Sequence, residues 1–301
     1  MLLFIALFPV VALLVFIYMV DRYQHEPWPQ MLKAVFYGVI SAMLVVNLLS
    51  MFAPTFDHSV LGAVGDAFFN AAIPEEGMKL LMLWAVLRHS PYYDEYFDGI
   101  VYAVCVSLGF AGIENIGYVL SAEDAMSVGV SRAITAVPAH FMFGVTMGYY
   151  YSLVHFKFHP DERTALINKV CVLAVPVLFH GLYDAALMVM DVAVGYNILL
   201  SGACFVVFLA VCVYMVISVY RKCKHLLAVD QAFLEYQRQQ QLLRQQEMER
   251  QLQMQQQQQL QMEQQLEWER QWEQLRQQWL QQHRHDNPLP EADDTKKSPD
   301  L

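Results

Sequence analysis

Ala71-Ala72-Ile73-Pro74-Glu75-Glu76-Gly77-Met78-Lys79-Leu80 sets two adjacent carboxylates in the middle of an apolar segment long enough to cross a bilayer. A charged side chain near the membrane centre costs about 2.5 to 3.5 kcal/mol on insertion scales, so it persists where it pairs, lines a cavity or does chemistry. Pro74 adds a bend, because a proline within a helix removes one backbone hydrogen bond and clashes with the carbonyl four residues back, that of Asn70. Irregular backbone at that depth is tolerated where protein or a water-filled cavity surrounds it. Glu75 and Glu76 therefore read as the floor of a buried polar site.

The rest of the chain agrees with a membrane setting. Of 301 residues, 56% are hydrophobic and only 16% charged, with a mean hydropathy of +0.30, the composition of an all-α polytopic membrane protein. The net charge of -10 and the lack of a basic cluster longer than Arg221-Lys222-Cys223-Lys224 exclude nucleic acid as a partner. Cys105, Cys171, Cys204, Cys212 and Cys223 lie almost entirely in apolar runs without CxxC spacing, so neither a disulfide framework nor a thiolate metal site is expected.

A crossing needs roughly 20 apolar residues. Residues 2–20 supply the first and read as a retained span, since no Lys or Arg precedes them and no small-x-small cleavage signal follows. Further spans are expected at about 33–53, 66–87, 97–120, 132–154, 169–190 and 196–220, seven in all, with the third the least hydrophobic. Lys and Arg collect on the cytoplasmic side. Arg22 and Lys33, Arg88, Lys157 with Arg163 and Lys169, and Arg221 with Lys222 and Lys224 fall in alternate loops, which predicts an external N-terminus and a cytoplasmic C-terminus.

Three domains follow from composition: a membrane domain over 1–225, a Gln-rich segment over 226–286, and a disordered tail over 287–301. The Gln-rich segment is made mostly of helix formers, which fits a long cytoplasmic helix or coiled coil and self-association, although no strict heptad is evident and tracts such as Gln255 to Gln259 fit disorder equally.

Few ionisable residues lie inside the spans: Glu75, Glu76 and Lys79 in the third, Glu114 in the fourth, His140 in the fifth, His180 and Asp184 in the sixth. At about 1.5 Å of rise per residue, and with the alternating topology, all four spans bring their polar residues to one level, in the outer half of the bilayer. Asp98 falls at the opposite end. His180 and Asp184, four residues apart, share a helical face. Two histidines and a carboxylate form a ligand set for catalytic zinc, which makes His140, His180 and Asp184 the expected metal ligands. Glu75 is then the expected base, taking a proton from water and passing it to the leaving amine, with Glu76 beside it and Lys79, Glu114 and Asn115 in support. The same residues admit plainer roles: Glu75 with Lys79 as a structural ion pair, and His180 with Asp184 as an oriented hydrogen-bonded pair without metal. Trp84, Phe110, Phe141 and Phe143 read as packing or lipid contacts.

At these positions the chain resembles the PrsW family of intramembrane proteases and, more distantly, the CAAX-processing and bacteriocin-processing membrane proteases. The matching pieces are Pro74-Glu75-Glu76-x-x-Lys79, Phe97-Asp98-Gly99-Ile100-Val101-Tyr102, Gly109-Phe110-Ala111-x-x-Glu114-Asn115, Arg132 followed by His140, and His180-Gly181-x-Tyr183-Asp184. The resemblance implies cleavage of a peptide bond in a membrane protein, in the best-known members the first cut of an anti-sigma factor in stress signalling. It implies a bacterial inner-membrane setting, a single-pass membrane protein as substrate, and Glu75, Glu76, His140 and His180 in the active site. It leaves open whether a metal or a glutamic-type mechanism does the work. The Gln-rich tail has no counterpart in the family core.

Two other classes fit the bare residues. A secondary transporter also needs buried carboxylates and bent helices, but no repeated half is visible here. A membrane sensor or scaffold would place its active part in the Gln-rich segment.

Overall fold

The computed structural model describes residues 2–158, 160–194 and 197–282, and every regular element among them is helical. The expected tail over 287–301 lies outside the described residues. In chain order the helices are α1 (Leu2–Val20), α2 (Trp28–Phe52), α3 (Val60–Asp66), a π turn (Ala67–Ala72), α4 (Ile73–Leu87), α5 (Asp98–Ser121), α6 (Ala125–Ile134), α7 (Ala136–His155), α8 (Glu162–Ala193) and α9 (Ile198–Gln282).

Six helical stretches are long and apolar enough to cross a membrane: α1, α2, α5, α6 with α7, α8 and α9. The expected third span is the run from α3 through α4, which the π turn interrupts and Glu75, Glu76 and Lys79 make more polar than its neighbours.

The bundle is wrapped around α5. From Asp98 to Gly112 every residue of that helix is buried, packed against α1, α2, α4, α6 and α7. Its apolar side chains, among them Ile100, Tyr102, Val104 and Leu108, meet Ile17, Ala34, Leu83, Val137, Phe141 and Val145 in one continuous core. Small residues let backbones approach as they do in lipid, where hydrophobicity gives no preference for helix over acyl chain. A Cβ added to Gly148 of α7 would stand 2.3 Å from the Gly99 carbonyl of α5, and one on Gly38 of α2 only 2.0 Å from that of Val106.

Contacts divide the chain into Met1–Leu234 and Glu235–Leu301. The first unit reaches beyond the compositional change near Leu226, because Leu226 is in the core and Asp230 accepts backbone N–H groups from Tyr96 and Phe97. Within the second unit the described residues continue α9 to Gln282, with Leu252, Trp268, Trp272 and Trp279 exposed.

Candidate active site

The π turn is the local answer to Pro74. Proline carries no N–H, so a regular helix would leave a carbonyl unanswered one turn earlier. The turn widens just before it: the Ile73 N–H bonds the Phe68 carbonyl, five residues back, and Pro74 falls in the first turn of α4. Such insertions are frequent at functional sites. Here it swings Phe68 against α8, where an added Cβ on Gly181 would sit 2.3 Å from the Phe68 ring. The glycine beside His180 is thus required by close approach.

Immediately after the turn, α4 presents Glu75, Glu76 and Lys79, all buried. The Lys79 ammonium donates to Glu76 Oε1 at 2.8 Å, to Glu75 Oε2 at 3.2 Å and to His140 Nδ1 at 3.0 Å. An ammonium has no acceptor, so His140 Nδ1 must accept and its proton sits on Nε2. That nitrogen faces Glu114 Oε2 at 2.9 Å, and the same oxygen meets Arg132 Nη2 at 2.9 Å. Arg132 Nε donates to Asn115 Oδ1 at 2.9 Å, and Asn115 Nδ2 donates to the Ala6 carbonyl of α1 at 2.8 Å. On the other side His180 Nδ1 reaches Glu76 Oε1 at 2.9 Å and His180 Nε2 reaches Asp184 Oδ2 at 3.1 Å. One polar chain therefore links six helices across the bundle.

All eight expected site residues, Glu75, Glu76, Lys79, Glu114, Asn115, His140, His180 and Asp184, belong to this chain of contacts, while Asp98 is held elsewhere by the backbone N–H groups of Asp94 and Glu95. Among the described residues, the site donors that converge within 4.8 Å of one another are those of Glu75, Glu76 and His140. His180 and Asp184 satisfy each other along one face of α8. His180 has a carboxylate oxygen at each ring nitrogen, Glu76 Oε1 at Nδ1 and Asp184 Oδ2 at Nε2.

Aromatic residues read from sequence as packing turn out to touch the polar groups. Lys79 Nζ lies 4.1 Å from the centre of the Phe110 ring, a cation–π contact, and Phe143 stacks on His180 with centroids 4.7 Å apart. Arg132, known beforehand only as a point of family resemblance, fixes Glu114. Its position at the end of α6, just before α7, was the available signal.

Two spaces open onto these groups. A cavity of about 120 Å³ is bounded by Glu75, Glu114, Arg132, His140, His180 and Asp184, room for roughly four waters at about 30 Å³ each. A groove of about 670 Å³ runs between α2 and α5, lined by Ala42, Val45, Leu49, Phe110 and Ile113 and floored by Glu75. Glu75 thus faces both spaces, whereas Glu76 is fully buried beneath them and lines neither. The adjacent carboxylates have different surroundings: Glu75 lines open space, and Glu76 contacts Lys79 and His180.

Residues 26–217 match the family described as PrsW family intramembrane metalloprotease. The chain is 35% identical over 190 residues to a protein named Protease PrsW from Clostridioides difficile, covering 62% of this chain and 78% of that one. It is 33% identical over 180 residues to the protein of that name from Geobacillus kaustophilus, covering 60% and 76%, and 31% identical over 176 residues to that from Bacillus subtilis, covering 58% and 78%. No solved structure matches.

Proposed function

This chain belongs to the PrsW family of intramembrane metalloproteases, and from that premise we propose that it hydrolyses a substrate peptide bond beside Glu75, whose carboxylate takes a proton from the attacking water. The observation that carries this reading is the position of Glu75 where groove and cavity meet. A peptide arriving along α2 and α5 runs against the apolar side chains of Ala42, Val45, Leu49, Phe110 and Ile113, with Asn47, Asp66, Asn70 and Glu114 also on the lining, to reach the Glu75 carboxylate. Water has its own space on the other side. The proton taken by Glu75 goes next to the amine leaving group, which restores the carboxylate. Lys79, held by two carboxylates and a ring nitrogen, keeps positive charge beside the reacting centre throughout.

Glu75, Glu76 and His140 are also the residues that would hold a divalent metal. Their donor types suit zinc and their donor atoms converge, but all three already bind the Lys79 ammonium. Metal and ammonium would compete for one set of donors. A metal bound there would lower the pKa of its water and polarise the substrate carbonyl.

The substrate we propose is a single-pass membrane protein, an anti-sigma factor among the candidates, supported by the apolar groove and by the family resemblance. Self-association through the Gln-rich helix is proposed on its exposed Leu and Trp side chains.

Glu75→Gln removes the base and keeps the shape. Cleavage of a co-expressed membrane substrate should fall about a hundredfold or more, the usual scale for losing a general base. Near-normal cleavage would refute the assignment.

A further inference from the structure

The motif Phe97-Asp98-Gly99-Ile100-Val101-Tyr102 takes no part in the site around Glu75. Sixteen residues of α5 separate Asp98 from Glu114, about 24 Å of helix. Its side chains instead converge on a second polar centre. Asp98 is fully buried, with Oδ2 accepting the N–H groups of Asp94 at 3.0 Å and Glu95 at 2.7 Å. Tyr102 donates its hydroxyl to Glu26 of the α1–α2 loop. Asp21 accepts the Glu26 N–H at its Oδ2, and Asp230 of α9 accepts those of Tyr96 and Phe97. Backbone N–H groups thus fix one oxygen each of Asp21 and Asp98 and both oxygens of Asp230.

The remaining oxygens have too few partners. Asp98 Oδ1, Asp21 Oδ1 and Glu95 Oε2 are buried without a donor group to accept from, on side chains 0%, 1% and 7% exposed, and the Asp98 carboxyl meets that of Glu26. No lysine or arginine among the described residues pairs with any acid of this group. Glu26, Asp94 and Asp98 each offer a carboxylate oxygen within 4.8 Å of the others, close enough for one cation to reach all three, and among the described residues Asp94 has only the Gln24 amide at 3.4 Å as a donor besides.

We infer that Glu26, Asp94 and Asp98 form a binding site for a hard divalent cation, Ca²⁺ or Mg²⁺, which ties the α1–α2 loop and the α4–α5 loop to the start of α5. The donors are all carboxylate oxygens, the chemistry that selects these ions over zinc or copper. The ion answers the Asp98 oxygen left without a donor. The inference stands whatever the reaction at Glu75.

The test uses the purified full chain in detergent, stripped with a chelator and titrated separately with Ca²⁺ and Mg²⁺. Calorimetry reads binding and the unfolding midpoint reads stability. The wild type should bind one equivalent of at least one ion and unfold several degrees higher when saturated; the ion that does so identifies the occupant. Asp98→Asn should weaken binding about tenfold or more and shrink the shift. Because Asp98 is buried, Asp94→Asn is the second variant: Asp94 is exposed, so its loss leaves the fold intact while removing one ligand. Glu75→Gln should leave both readouts unchanged, separating this ion from any at the active site. No bound equivalent of either ion, or binding untouched by both Asp substitutions, would overturn the inference and leave shared protons as what holds the carboxylates together.

Discussion

Lys79→Met removes the ammonium that neutralises the core of the active site and keeps a side chain of similar length. In the wild type this group is 1% exposed and lies within 3.2 Å of both Glu75 and Glu76. Removing one partner of a buried ion pair leaves the other charge uncompensated and costs about 3 to 5 kcal/mol. At about 1.4 kcal/mol per tenfold, this lowers the folding equilibrium by roughly two to three and a half orders of magnitude. The assay is unfolding in mixed detergent followed by tryptophan fluorescence, with and without zinc. Without zinc the variant should show that loss. With zinc it should recover part of it and bind the metal more tightly than the wild type, because the three donors no longer hold an ammonium. A variant within about 1 kcal/mol of wild type would refute Lys79 as the neutralising charge. Equal zinc affinity in both proteins would refute competition for shared donors.

Three further outcomes are expected. A reporter fused after Lys157 should be cytoplasmic and one after Glu123 external, as the loop charges require; both on one side would refute the span count and the common depth built on it. A chain ending at Leu234 should keep its cleavage rate in liposomes, whereas one ending at His225 should be less stable, having lost Leu226 from the core and Asp230 from the backbone of Tyr96 and Phe97; equal stability would refute that packing. Burial raises the Asp21 and Glu95 carboxyls to about 6 and about 7, with Asp230 and Asp21 adding repulsion at Glu95. The folded state therefore holds protons that the unfolded chain releases. Their stabilising contribution is complete below about pH 4 and is lost as pH rises towards 7. The other titratable groups at this centre are Glu26, Asp94, Asp98, Asp230 and His25. Chelator-treated wild type should lose stability across that window more steeply than Glu95→Gln, and identical slopes would refute the assignment.

The membrane class, the helical architecture and the residues that meet in the buried polar chain were legible in the sequence because each rests on local chemistry. Apolar runs of sufficient length cross bilayers wherever they occur, and an intramembrane carboxylate is costly in any fold. Rise per residue was enough to bring Glu75, Glu114, His140 and His180 to one depth. Which atoms meet was not legible, because that depends on helix rotation and tilt. Only the tertiary structure puts the Lys79 ammonium among Glu75, Glu76 and His140, whose donor atoms converge, and turns both nitrogens of His180 to carboxylates. Pro74 announced irregular backbone, yet the form it takes, a π turn that carries Phe68 against Gly181, follows from the packing of α8. Asp98 shows the same division most clearly. Its sequence position excluded it from the active site, and only the folding together of two loops and α9 gave it Glu26, Asp94 and Asp230 as neighbours.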